Sequence, residues 1–137
     1  MEKMEKKFHR DMCSLDDIFL FLKEFKRRCK IDNAAAYGLD LIVEEIFTNM
    51  VKYNAESSSD ILISLERSED NVILVFNDYD GEPFDITQVG EVDTTQRLEE
   101  RKVGGLGIHL VKKIADEIDF DYCNRKSTIT VMKKLDE

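Results

Sequence analysis

The sequence predicts a two-layer α/β sandwich, in which helices cover one face of a mixed, mostly antiparallel sheet. A weak strand pattern at the start is followed by two segments whose apolar residues recur at helical spacing. Two pairs of β-rich runs, each joined by a short polar stretch, then predict two hairpins. A long segment without apolar period and a third helical pattern lie between the hairpins.

Length and charge narrow the possible partners. The 137 residues predict a single domain over 1–137. Lys and Arg number 20 against 29 Asp and Glu, which gives a formal net charge of −9. This acidic balance repels phosphate backbones and anionic lipids, so we expect neither a nucleic acid nor a membrane as partner. One bound nucleotide remains compatible with it, because local amides and a few cations outweigh the global field.

The cysteines predict neither a disulfide framework nor a zinc site. Cys13, Cys29 and Cys123 are odd in number, widely spaced and never in a Cys-x-x-Cys pair. The charged N-terminus lacks the apolar core of a secretory signal, and no apolar run approaches the roughly 20 residues that span a bilayer. We therefore expect a cytoplasmic protein with reduced thiols.

An edge strand and a helix are the first expected elements. Residues 4–10 alternate weakly between apolar and polar side chains, which favours a strand. Ser14 followed by Asp17 resembles a capping box. Apolar side chains at three- and four-residue spacing behind it predict an amphipathic helix over 15–30.

A second helix is expected from about Asn33, which can cap it, to about Tyr53. The β-rich runs 61–65 and 72–76 then predict the first hairpin. The apolar face of the second helix consists of Leu39, Ile42, Val43, Ile46, Phe47, Met50 and Val51.

The segment from Asp78 to Gly104 has no clear apolar period, and loops this long are usually lids, binding loops or disordered. After it, a third helix is predicted to end near Glu117. The runs 118–122 and 128–132 predict the second hairpin.

Three polar residues of the second helix share one face. Glu45, Asn49 and Lys52 stand at positions i, i+4 and i+7. An amide oxygen is a hard ligand that suits Mg²⁺, and a carboxylate can accept a proton from water or a hydroxyl. Taken alone, this triplet is better explained as the solvated stripe of an amphipathic helix.

An acidic turn follows the strand that ends at Phe76. Its sequence is Asp78-Tyr-Asp-Gly-Glu-Pro-Phe-Asp85, and Gly81 allows the chain to turn where a side chain would block a ligand. An Asp at a strand end can accept a hydrogen bond from an exocyclic amine. Taken alone, the segment is better explained as an ordinary acidic turn.

A glycine cluster opens the third helix. Gly104, Gly105 and Gly107 leave backbone N–H groups bare at a helix N-terminus, where an anion is favoured. A flexible hinge would explain the cluster as well. Arg101 and Lys102, just before it, could reach a terminal phosphate or be solvated charges.

The order of these motifs is that of one coherent nucleotide site. It resembles the ATP-binding domain shared by gyrase, histidine kinases and mismatch-repair ATPases, the Bergerat fold. More narrowly, the sequence is similar to the stand-alone anti-sigma factor serine/threonine kinases of bacteria. The segment Glu45–Tyr53 is similar to their N-box, Asp80–Asp85 to their first glycine box, and Leu98–Val111 to their lid end and second glycine box. The resemblance covers nearly the whole chain and implies an ATP lid at about 86–103.

The resemblance implies ATP and Mg²⁺ as cofactors. Asn49 would hold Mg²⁺ against the phosphates, and Glu45 would be the base that activates the attacking hydroxyl. Lys52 would lie at the nucleotide.

The glycine boxes would complete the nucleotide site. Gly105 and Gly107 would let backbone amides meet the phosphates, and Arg101 would neutralise charge near the γ-phosphate. Further nucleotide contacts are expected from Gly81, Gly104 and Leu106.

The residue that binds adenine departs from the family pattern. The family's Asp usually stands two residues before the first-box glycine, where this sequence has Tyr79. Either Asp78 is shifted in by a small bulge or Asp80 substitutes for it. Asp78 is favoured, because it shares the parity of Leu74 and Phe76 along the strand.

The resemblance implies an ATP-dependent protein-serine kinase and anti-sigma regulatory factor, which phosphorylates a STAS-type anti-anti-sigma protein in a partner-switching pathway. The resemblance is also compatible with a sigma factor and a second copy of the chain as further partners. The alternative is an ATP-binding anti-sigma or switch protein that sequesters a partner without kinase activity. The presence of Glu45 favours the kinase.

Overall fold

The computed structural model describes residues 2–31, 33–53, 59–79 and 111–135, and its architecture is the predicted two-layer α/β sandwich. Residues 80–110, which include the predicted lid and most of the glycine boxes, lie outside this description. No helix among the described residues is long and apolar enough to cross a membrane. In chain order the elements are β1 (Glu2–Phe8), α1 (Leu15–Cys29), α2 (Asn33–Tyr53), β2 (Ile61–Ser68), β3 (Asn71–Tyr79), β4 (Glu117–Cys123) and β5 (Lys126–Lys134).

The strands of the described residues form one sheet in the order β1-β2-β3-β5-β4, and each of the pairings is antiparallel. The predicted N-terminal strand therefore lies at an edge, and both predicted hairpins are present. The turn between β4 and β5 consists of Asn124 and Arg125, with φ angles of 52° and 63°. Positive φ at both positions is typical of the two-residue turn that matches the twist of paired strands.

One face of the sheet packs against the helices and forms the core. Its outermost row contains Phe8, Ile61, Asp78, Ser127 and Tyr122 in adjacent strands. Asp78 and Ser127 are therefore buried polar residues at the end of an apolar layer. That layer consists of Ile63, Leu65, Leu74, Phe76, Ile129 and Val131, packed with Ile18, Leu22 and Phe25 of α1 and Ile42, Ile46 and Phe47 of α2.

The predicted capping box at the start of α1 is wrong. Ser14 makes no side-chain capping hydrogen bond. Its Oγ donates instead to the backbone carbonyl of His9 at 2.9 Å. A short 3-10 turn over Met12–Ser14 precedes α1, and Asp11 caps this turn by accepting a hydrogen bond from the Cys13 amide at 2.8 Å.

The third helix also ends earlier than predicted. Its described part covers 111–114, and Glu117 is already the first residue of β4. The Asp116 amide donates to the Met132 carbonyl at 2.9 Å, and its carboxylate accepts from the Lys134 amide at 2.6 Å. Pairing with β5 thus replaces the helical hydrogen bonds.

Gly38 allows this third helical segment to approach α2 closely. A Cβ at position 38 would lie 2.9 Å from Cγ2 of Ile114, which is closer than non-bonded carbon atoms approach each other in proteins. Val111, at the start of the described segment, is fully buried. The segment that follows the glycine cluster is therefore packed directly against the helix that carries Glu45 and Asn49.

Candidate functional site

Helix α2 brings Glu45, Asn49 and Lys52 together, because residues three and four positions apart are neighbours on a helix. Their exposure differs. Asn49 is 2% exposed, Glu45 is half-buried and Lys52 is exposed. The amide is therefore innermost and the ammonium group outermost in this row.

Asn49 is held in one orientation by its own helix. Its Nδ2 donates a hydrogen bond to the backbone carbonyl of Glu45 at 2.6 Å. This assignment leaves Oδ1 as the atom that can meet a ligand. Mg²⁺ commonly takes one or two protein oxygens beside phosphates and water, so a fixed, buried amide oxygen fits it. Across the described ranges, no group of three or more His, Cys, Asp or Glu could hold a metal.

Burial raises the pKa of Glu45 above its ordinary value of 4.5. The negative charge of Glu44 raises this pKa further, and the positive charge of Lys52 opposes the shift. A carboxylate with a raised pKa is a stronger proton acceptor than an exposed one. Glu45 is therefore suited to act as a general base towards a hydroxyl group.

Asp78 occupies the helix-side face near the end of β3 and is 2% exposed. Ser127 of β5 lies directly opposite in the ladder and is also buried. Tyr79 points to the other face, where Lys126 Nζ lies 5.7 Å from the centre of its ring. Strand alternation thus puts Asp78 on the same side of the sheet as α2, and Tyr79 on the opposite side.

Arg10 connects Asp78 to α2. Its guanidinium forms a two-pronged ion pair with the Asp78 carboxylate, through Nη2 to Oδ1 and through Nη1 to Oδ2 at 3.4 Å. Nη1 also donates to the backbone carbonyl of Met50 at 3.1 Å, and Nε donates to that of Ser59 at 3.2 Å. One side chain therefore ties together the end of β1, helix α2, the start of β2 and the end of β3.

Sequence reasoning did not find Arg10 or Ser127. Arg10 lies 68 positions from Asp78, and an Arg after an edge strand is indistinguishable in sequence from a solvated charge. The position of Ser127 opposite Asp78 can be inferred only when the register of β5 against β3 is known. The predicted site residues that lie outside the described residues are Asp80, Gly81, Arg101, Gly104, Gly105, Leu106 and Gly107.

A comparison with protein families finds one match that spans most of the chain. The family model of the histidine kinase-like ATPase domain matches residues 9–134. A comparison with curated proteins finds no match.

Solved structures with the same fold include two bacterial proteins. The RsbU and RsbW domains of Rv1364c from Mycobacterium tuberculosis superpose with a TM-score of 0.70 at 12% identity. That match covers 98% of this chain and 33% of the other, so this chain spans about a third of its length. A chain of the SiaB-SiaC complex from Pseudomonas aeruginosa superposes with a TM-score of 0.64 at 11% identity, covering 94% of this chain and 88% of that one.

A histidine kinase also shares the fold. The histidine kinase AdeS of Acinetobacter baumannii superposes with a TM-score of 0.53 at 16% identity, over 100% of this chain and 70% of that chain. At these identities the likenesses establish the fold.

Proposed function

Because the chain belongs to the histidine kinase-like ATPase domain family, we propose that it is an ATP-dependent protein-serine kinase that phosphorylates a STAS-type anti-anti-sigma protein. The observation that carries this proposal is the pairing of two groups on α2. A half-buried carboxylate with a raised pKa, Glu45, stands one turn before a buried amide, Asn49, whose nitrogen bonds to its own helix and leaves the oxygen available for a ligand. Glu45 is suited to accept a proton, and Asn49 is suited to bind a cation that lies between phosphates.

In the proposed reaction, the oxygen of the substrate serine attacks the γ-phosphorus of ATP, and Glu45 removes the proton of this hydroxyl group. The new bond joins the serine oxygen to phosphorus, and the bond between the γ-phosphorus and the oxygen of ADP breaks. Asn49 Oδ1 would hold Mg²⁺, which supplies positive charge to the phosphates. Lys52 adds positive charge at the exposed end of the same helix face.

The other nucleotide contacts of the proposal come from the glycine boxes. We assign the phosphates to Gly104, Gly105, Leu106 and Gly107, the γ-phosphate to Arg101 and the turn at the base to Gly81. The proposal also includes an ATP lid at about 86–103, within a single domain over 1–137. These assignments rest on the sequence motifs.

The substrate assignment has support from the fold neighbours. One of them was solved as a complex of SiaB with SiaC, and the other contains RsbU and RsbW domains. We therefore propose that this chain acts on a protein substrate in a partner-switching pathway and has a sigma factor as second partner.

Incubation of the chain with γ-labelled ATP and the STAS protein encoded nearest to the chain tests the proposal. Transfer of label to serine is expected.

The second candidate is an ATP-binding anti-sigma or switch protein that sequesters its partner. Tight binding of the STAS protein or a sigma factor in the presence of ATP, without any transfer of label, would favour it. The presence of Glu45 one turn before Asn49 favours the kinase, because a sequestering protein needs no proton acceptor beside the phosphates.

Asn49→Ala is expected to remove the Mg²⁺-dependent part of nucleotide binding. At a ligand concentration about 100 times Kd, binding adds about 2.7 kcal/mol to the free energy of unfolding, which raises Tm by several degrees. The measurement is Tm with ATP, with and without Mg²⁺. Asn77→Ala is the matched control, because Asn77 is also buried but hydrogen-bonds to Thr128 on the opposite face of the sheet. An intact response to Mg²⁺ in Asn49→Ala would remove Asn49 from the site.

The proposed homodimer would use the face of the sheet opposite the helices. Leu62, Ile73, Val75 and Met132 lie there, half-buried, and none of the described helices covers them. On this face, residues that are paired in register form rows that cross all five strands. Two of these rows have opposite charges at their ends. One runs from Lys3 to Glu117, and the other runs from Lys7 to Asp121.

These charges favour one arrangement of two copies. A two-fold axis parallel to β3 places β1 of each copy over β4 of the other, so that each lysine faces an acid. The middle row has an acid at both ends, Glu5 and Asp119. Glu5, however, already accepts a hydrogen bond from Ser64 Oγ at 2.7 Å.

We expect Lys7→Glu to weaken the dimer by roughly tenfold or more, because like charges then face each other. Adding Asp121→Lys should restore the affinity. Lys6→Glu, on the helix side of the same strand, is the matched control and should have little effect. Analytical ultracentrifugation distinguishes the 15.9 kDa monomer from the dimer. A wild-type chain that stays monomeric at every concentration would rule the homodimer out.

A further inference from the structure

We infer that Arg10 determines nucleotide specificity, by holding Asp78 as a charged hydrogen-bond acceptor for the amino group of adenine. This inference rests on the proposed function and on the expectation from the sequence that Asp78 binds the base of ATP. Arg10 itself does not contact the nucleotide in this view, so it is a positioning residue.

The ion pair is unusually well buried. The side chains of Arg10 and Asp78 are 3% and 2% exposed. Two guanidinium nitrogens face two carboxylate oxygens, a geometry that fixes the plane of the carboxylate as well as its position. The backbone carbonyls of Met50 and Ser59 fix the guanidinium in turn. Asp78 is therefore oriented by a group that is itself held by α2 and β2.

The charge of Asp78 decides which base it can bind. A charged carboxylate only accepts hydrogen bonds, whereas a protonated carboxyl also donates one. Adenine presents an amino donor at the position where guanine presents a carbonyl acceptor. The two guanidinium donors of Arg10 hold the carboxylate as an acceptor, so Asp78 can pair with the amino group of adenine and not with the carbonyl of guanine.

Arg10 also sets the distance between the base and the phosphates. The carbonyl that accepts from Nη1 belongs to Met50, the residue after Asn49. The same nitrogen reaches Asp78 Oδ2. The planar guanidinium of Arg10 therefore connects Asp78, the proposed base-binding residue, to the helix position next to Asn49, the proposed Mg²⁺-binding residue. Lysine has a single ammonium point charge and cannot reproduce this bridge.

The test measures ADP and GDP binding to the full chain by isothermal titration calorimetry. We expect the wild type to favour ADP, and Arg10→Lys to lower the ADP-to-GDP affinity ratio by about 10- to 100-fold, the range for a hydrogen bond to a charged group. Asp78→Asn should lower the ratio similarly, because an amide can turn its donor towards guanine. Arg28→Lys, at an exposed ion pair with Glu24, is the control and should keep the ratio.

The outcomes separate this inference from the proposed function. A ratio that stays at the wild-type value in Arg10→Lys and Asp78→Asn overturns the inference, even if Tm falls, and leaves the ATP site intact. A wild-type chain that binds neither nucleotide overturns the proposed function, and the inference with it. If Arg10→Lys does not fold, Arg10→Met combined with Asp78→Asn removes both charges, and the same loss of discrimination is expected.

Discussion

Glu45→Gln is expected to slow phosphoryl transfer by roughly 10²-fold or more, while ATP binds about as tightly as to the wild type. Glutamine keeps the size of the side chain and much of its hydrogen bonding, but it cannot accept the proton of the attacking hydroxyl. The measurement is single-turnover transfer from γ-labelled ATP to the STAS protein, with nucleotide affinity determined separately.

Glu44→Gln is the matched control for Glu45→Gln. Glu44 is the preceding residue on α2 and is turned about 100° around the helix, so it should tolerate the change. Since its charge contributes to the raised pKa of Glu45, Glu44→Gln should shift the pH profile slightly downwards. An active enzyme whose Glu45→Gln variant keeps the wild-type rate would contradict the proposed mechanism without removing the kinase assignment.

The pH dependence of the rate follows from the same carboxyl group. The base must be deprotonated, so the rate should rise with pH through a pKa above 4.5 and then level off. The effect on stability has the opposite sign. Because the folded pKa is raised, the folded state holds this proton more tightly than the unfolded chain. The cost of the half-buried charge is therefore present at neutral pH and disappears as the pH falls below the unfolded value.

Arg10→Met is expected to lower the free energy of unfolding by about 3–5 kcal/mol, the usual cost of removing one partner of a buried ion pair. The variant takes away the guanidinium that faces the Asp78 carboxylate, and it also removes the donors to Met50 and Ser59. Adding Asp78→Asn should recover part of the loss, because the buried negative charge is then gone. Urea denaturation of the single and double variants measures both values.

The matched control for Arg10→Met is Arg28→Met. Arg28 pairs with Glu24 on the outside of α1, where its side chain is 52% exposed, so little change in stability is expected. Equal losses in the two variants would show that the Arg10–Asp78 pair contributes no more than a surface pair. They would also remove the basis for a structural role of Arg10.

Local periodicity was sufficient for most of the secondary structure. The predicted helix over 15–30 corresponds to Leu15–Cys29, and both predicted hairpins are present. The two local errors, at Ser14 and at the end of the third helix, have a common cause. In each case a more distant chain segment, the His9 carbonyl or strand β5, provides hydrogen bonds that compete with the local helical pattern.

The sequence by itself determined that Glu45 and Asn49 share a helix face, because residues four positions apart on a helix are always neighbours. It also determined that Asp78 has the parity of the buried strand residues. Only the tertiary structure decided that Arg10 and Ser127 lie beside Asp78. Strand register, and the approach of side chains 68 positions apart, depend on how the sheet and helices pack as a whole. No short-range spacing in the chain encodes that packing.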